Sequence, residues 1–127
     1  MDKTALVTAD LAVGPKVLEI LDRSGLEISL ALWLHTPEYE DWRFMLASRR
    51  LDRSEPSQAY GLVHDALDGA GIPLENTPPL LILAMTDPFV RALRRTFAKT
   101  QGVEGMRLGG QMIGDRFVDD AIVYRIR

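Results

Sequence analysis

Six consecutive apolar residues, Leu80-Leu81-Ile82-Leu83-Ala84-Met85, stand between Pro78-Pro79 and the breaker Thr86-Asp87-Pro88, and residues 89–101 follow with helical spacing. The run is too short for a helix and too evenly apolar for a half-exposed strand. The spacing therefore predicts a buried strand in the middle of a sheet, leading directly into a helix capped by Asp87 and opened by Pro88. The remaining segments must supply partner strands for this unit and helices to cover them.

An amphipathic helix is expected between Asp10 and Ser24, with Val13, Val17, Leu18, Ile20 and Leu21 sharing one side. Asp10 offers an early cap and Gly14-Pro15 a later one; the later start is preferred, and Gly25 ends the helix. From Leu26 the period changes to two, and Leu26, Ile28, Leu30, Leu32 and Leu34 form one apolar face. Residues 41–50 resume as a strand, so the two segments make an antiparallel hairpin. Ser54-Glu55-Pro56 reads as a helix start with Ser54 as cap, and the helix runs to about Ala70, where Gly71-Ile72 gives a Schellman-type stop. Near the end, Gly114-Asp115 suits a two-residue hairpin turn. Counting outward from it pairs Met112 with Phe117, Leu108 with Ala121 and Met106 with Val123. The same register sets Gly109 and Gly110 opposite Asp120 and Asp119, where a bulge is expected. The fold class expected is α+β: a single domain over residues 1–127, with a five-stranded mixed sheet in which two antiparallel hairpins flank the central strand, and three packed helices.

The chain of 127 residues, 46% hydrophobic and 26% charged, is the size of one globular domain. A formal charge of −3 gives no overall attraction to nucleic acid or to an anionic membrane, so such binding would need a local patch. The absence of cysteine excludes disulfides, thiolate metal sites and a cysteine nucleophile, and the two histidines restrict metal chemistry further. No cofactor motif is present. With neither a leader pattern nor a membrane-length apolar window, the expectation is a soluble cytoplasmic protein that does not enter the membrane.

The third helix carries the least balanced charge. Arg91, Arg94, Arg95 and Lys99 oppose its apolar arc of Phe89, Val90, Leu93 and Phe97, with no acidic residue interleaved. Each like-charge pair at a spacing of four costs roughly 0.2–0.5 kcal/mol in an isolated helix. With Arg49, Arg50 and Arg53 these residues form a candidate surface for an anionic partner. His35, Glu38, Glu40 and Asp41, around the first hairpin tip, are the candidate ligands for a divalent cation, although their spacing matches no metal loop. His64 and Asp68 share a helix face with Tyr60, with no nucleophile placed beside them. Asp119 and Asp120 converge only if their strand bulges.

Leu11…Val17-Leu18…Leu21-Asp22, Ala31-Leu32-Trp33-Leu34, Asp41-Trp42-Arg43-Phe44 and Asp119-Asp120-Ala121-Ile122-Val123-Tyr124-Arg125 resemble a set of small uncharacterised bacterial proteins. The resemblance covers most of the chain and brings no activity, ligand or site residue with it. The leading functional expectation is a non-enzymatic module that binds an acidic protein through the basic helix face. Nucleic-acid binding through the same arginines is the alternative, and a metal-dependent hydrolase the third. A homodimer is expected if Trp33 and Trp42 lie on a face that one chain cannot cover.

Overall fold

The computed structural model describes residues 8–38 and 41–127, with side chains described from Leu11 onward. Helix α1 (Thr8–Arg23) leads into β1 (Leu30–His35) and β2 (Arg43–Ala47). The short α2 (Arg49–Asp52), α3 (Pro56–Gly69), β3 (Leu80–Ile82) and α4 (Pro88–Phe97) follow. The chain closes with β4 (Arg107–Leu108), β5 (Gln111–Ile113), β6 (Arg116–Val118) and β7 (Asp120–Ile126). The class is α+β, with a five-stranded mixed sheet in the order β3-β2-β1-β7-β4 and a two-stranded β5-β6 ribbon.

The run at 80–85 does form a strand followed at once by a capped helix, and β3 lies parallel to β2. It is not central, however. Only Leu80–Ile82 pair, β3 occupies one edge of the sheet, and Leu81, Ile82 and Leu83 are half-buried. The centre belongs to β1, all six of whose residues are buried. Its Leu30, Leu32 and Leu34 face α4 and the ribbon, while Ala31 and Trp33 face α1 and α3. A strand with both faces apolar lies between layers, and here the second face of β1, supplied by Ala31 and Trp33, marks the centre better than the uninterrupted run in β3. The N–H of Ile82 points away from β2 and donates to the Tyr60 hydroxyl oxygen of α3 at 2.9 Å.

Helix α1 begins by Thr8, so Pro15 lies inside it and is not its first turn. A proline there removes the bond to the carbonyl four residues earlier, that of Leu11. The Tyr124 hydroxyl donates to that carbonyl at 2.9 Å. Gly14 makes the approach feasible, since a Cβ at this position would lie 2.4 Å from Cζ of Tyr124. The helix then stops as the sequence indicates: the Leu26 N–H bonds to the Leu21 carbonyl and Gly25 N–H to that of Asp22.

Helix α3 shows the same Schellman ending, Ile72 to Leu67 and Gly71 to Asp68. Its N-cap is Glu55, one residue after the predicted Ser54, and the Glu55 N–H donates to the Gln58 side chain at 3.3 Å. Strand β2 ends at Ala47 and does not run on to Arg50, because buried Ser48 caps α2 by accepting the N–H groups of Arg50 and Leu51. Leu51 thereby enters the core.

The second hairpin has the predicted register. Met112 pairs with Phe117 across Gly114-Asp115, and Leu108 pairs with Ala121. Gly114 takes the left-handed φ of 61° that the turn's first position needs, and a side chain there would meet the Pro88 carbonyl oxygen, 2.9 Å from its Cβ. The ladder breaks where expected, with Gly110 N–H donating to Val118 at 2.8 Å, so the hairpin tip leaves the sheet as the ribbon. A second irregularity was not foreseen: opposite β1 the register steps from Arg125 to Val123, which makes Tyr124 an extra residue. The bulge turns Tyr124 and Arg125 both toward α1.

Candidate basic groove

Asp87 caps α4 by accepting the Phe89 N–H at 2.9 Å, and Phe89, Val90 and Leu93 are buried. This apolar arc fixes the other side of the helix toward solvent, where Arg91 and Arg95 are exposed. The helix ends at Phe97, so Lys99 lies in the turn beyond it and does not complete a helical stripe. Arg94 and Arg95 stand in the last turn, where the helix dipole stabilises a cation by about 0.3–1 kcal/mol, enough to offset the mutual repulsion. Among the described residues no carboxylate forms an ion pair with Arg91, Arg95 or Lys99.

Arg49, Arg50 and Arg53 sit on and just after α2, with Arg50 half-buried and the other two exposed. Asp52 ties this segment to the start of α4 by accepting the Met85 N–H at 3.0 Å. Arg49 of α2, Arg94 of α4 and Arg127 after β7 line one groove of about 550 Å³. Arg94 is held in place by its Nε–H, which donates to the Arg127 carbonyl at 2.8 Å. The two arginine sets predicted from sequence therefore meet at Arg49 and Arg94, while Arg50, Arg53, Arg91, Arg95 and Lys99 stay outside the groove.

Two carboxylates share that groove. Asp22 is gripped by the guanidinium of Arg125 through bonds of 2.9 and 2.8 Å, and this holds its carboxyl below the usual aspartate range despite partial burial. Glu27 is exposed and adopts the left-handed φ of 51°, the one described non-glycine residue to do so. Sequence reading missed Arg127, Asp22 and Glu27 as groove residues. Their contribution depends on β7 ending beside the α1–β1 turn, which no local pattern encodes.

The hairpin-tip residues serve other contacts. His35 is buried with Nδ1 3.2 Å from Asp119 Oδ2 and its ring 5.6 Å from that of Trp42. A carboxylate can only accept, so Nδ1 carries the proton when Asp119 is ionised. Glu38 pairs with Arg116 at 3.3 Å, Asp41 is exposed, and Glu40 lies outside the described residues. Among the described residues no three His, Asp or Glu side chains gather as metal ligands would. Asp119 and Asp120 diverge, the latter binding Arg107 at 2.7 Å. No hydrogen bond joins His64 to Asp68, and Tyr60 is engaged by Ile82.

Trp33 and Trp42 are 3% and 5% exposed, so the chain itself covers the face on which the homodimer expectation rested. Burial pushes the Tyr124 hydroxyl above its ordinary pKa, partly opposed by the Trp33 indole N–H, which leans toward it without completing a hydrogen bond. Among the described residues no helix is long and apolar enough to cross a membrane. Compared with protein-family models, with curated proteins and with solved structures, the chain matches none.

Proposed function

We propose that the chain is a non-enzymatic interaction module that binds an acidic segment of another protein across the α2 and α4 side of the sheet. The observation that carries this reading is the meeting of Arg49 and Arg94 in one groove, which joins two cationic sets far apart in sequence. Exposed Arg91, Arg95 and Lys99 extend the same charge along α4 without internal partners among the described residues. A protein partner is favoured over a phosphate backbone because Asp22 and Glu27 interrupt the cationic track. A polyanion would meet them in register, whereas a mixed-charge peptide can match both signs. The overall charge of −3 also supplies no long-range steering toward nucleic acid.

The test compares the parent protein with the charge-reversed variant Arg91→Glu/Arg95→Glu/Lys99→Glu. Affinity capture with mass spectrometry should identify a protein bound by the parent and lost from the variant. Fluorescence anisotropy should show no tight binding of duplex or single-stranded DNA or RNA at low salt. Unchanged capture by the variant would refute the reading, and nucleic-acid affinity that falls steeply with salt would replace it with the alternative.

A further inference from the structure

The groove has the features of a binding site in its own right. Its three arginines come from three separate elements, α2, α4 and the residue after β7, and the fold alone brings them together. Arg94 is oriented by its Nε–H bond to the Arg127 carbonyl, which leaves its two amino groups without a partner among the described residues. The Arg49 side chain is exposed and likewise without a partner among them. The Asp22 carboxylate is held chiefly by Arg125, which takes both of its oxygens, and its charge also attracts Arg127. The charged side chains lining the groove are thus three guanidinium groups, of Arg49, Arg94 and Arg127, beside the carboxylates of Asp22 and Glu27. Glu27 lines the groove from a left-handed backbone that glutamate does not favour.

We propose that this groove is a carboxylate-binding subsite, in which the arginines take an Asp or Glu side chain of the partner and Glu27 meets a neighbouring cationic residue. Guanidinium groups bind carboxylates through paired, charge-assisted hydrogen bonds, so a site of this kind is directional as well as electrostatic. Glu27 supplies selectivity, since it repels a second anion placed beside the first. The subsite rests on the reading that the partner is an acidic protein segment, but it is tested separately from the outer face of α4.

The experiment is a two-dimensional ¹H–¹⁵N NMR titration of the full chain, reading backbone amides and arginine Nε–H signals. The probes are a blocked peptide of alternating Glu and Lys, a blocked all-Glu peptide and inorganic phosphate. The mixed peptide should produce saturable shifts at Arg94 Nε–H and at the Ser29 and Arg127 amides. Arg49→Gln, which removes no hydrogen bond of the fold, should weaken that binding about tenfold. Glu27→Gln should strengthen binding of the all-Glu peptide and not of the mixed one. The Arg91→Glu/Arg95→Glu/Lys99→Glu variant should keep the groove shifts, so its failure to capture a partner and a failure of the subsite give different results. Shifts that do not saturate, shifts indifferent to Arg49→Gln, or saturation by phosphate alone would each overturn the proposal.

Discussion

Replacing Gly14 by alanine should destabilise the protein, although the same change in the middle of a helix ordinarily stabilises it by about 1 kcal/mol. The added methyl would lie 2.4, 2.5 and 2.8 Å from Cζ, Cε2 and Oη of Tyr124. Moving that ring away would disturb its hydroxyl bond to the Leu11 carbonyl and its tilted contact with Phe44, whose ring centroid lies 5.8 Å away. Overpacking of this kind costs about 1–3 kcal/mol, and loss of the hydroxyl bond about 1 more. Set against the gain in helix propensity, the net loss is about 2 kcal/mol, or a fall of roughly 6–12 °C in Tm for a domain of this size. Urea unfolding followed by tryptophan fluorescence would measure it, with the slope unchanged if only the native state is affected. The decisive comparison is the same substitution in a Tyr124→Leu background, where the clash is absent and alanine should stabilise by up to about 1 kcal/mol. A Gly14→Ala protein as stable as its parent, or an equal loss in both backgrounds, would refute the account of how α1 meets β7.

Two further outcomes follow from the same region. Tyr124→Phe should cost about 1–2 kcal/mol in the parent but much less beside Pro15→Ala, where the new N–H can reach the Leu11 carbonyl, and a double-mutant cycle by urea unfolding would show that coupling. Because Arg125 lowers the Asp22 pKa in the folded state, the pair contributes stability above the ordinary value of 3.8 and loses it as pH falls through the lowered one. The stability gap between parent and Asp22→Asn, measured at a series of pH values, should therefore be full near neutrality and close below about pH 4.

Most signals that depend on a few adjacent residues were read correctly, although the α3 cap fell on Glu55 in place of Ser54 and the Ser48 cap of α2 was missed. The Asp87 cap, both Schellman endings and the Gly114 turn each depend on a few adjacent residues, and each is found. The register of the last hairpin followed from one turn by counting. Sheet order did not, because it depends on which faces are covered. The apolar run in β3 and the alternating pattern of β1 were weighed by hydrophobicity, and the covered second face at Trp33 decided the centre. Pro15 misled for a related reason: a proline inside a helix is tolerable only if something else serves the carbonyl it strands, and here that is Tyr124, more than a hundred residues away. The groove was half legible. Its arginines stood out by charge pattern, whereas Arg127 and Glu27 gained a place in it only through the fold.

The contact between Tyr60 and Ile82 bears on what the protein does at high concentration. A sheet that ends in an apolar strand invites a second chain to continue its ladder, and the invitation depends on free N–H groups along that flank. Here a phenol borrowed from the covering helix already occupies the Ile82 donor, so an incoming strand would have to displace a side chain to bond at that position. The covering helix thus takes up one backbone donor on the flank of the most apolar segment of the chain.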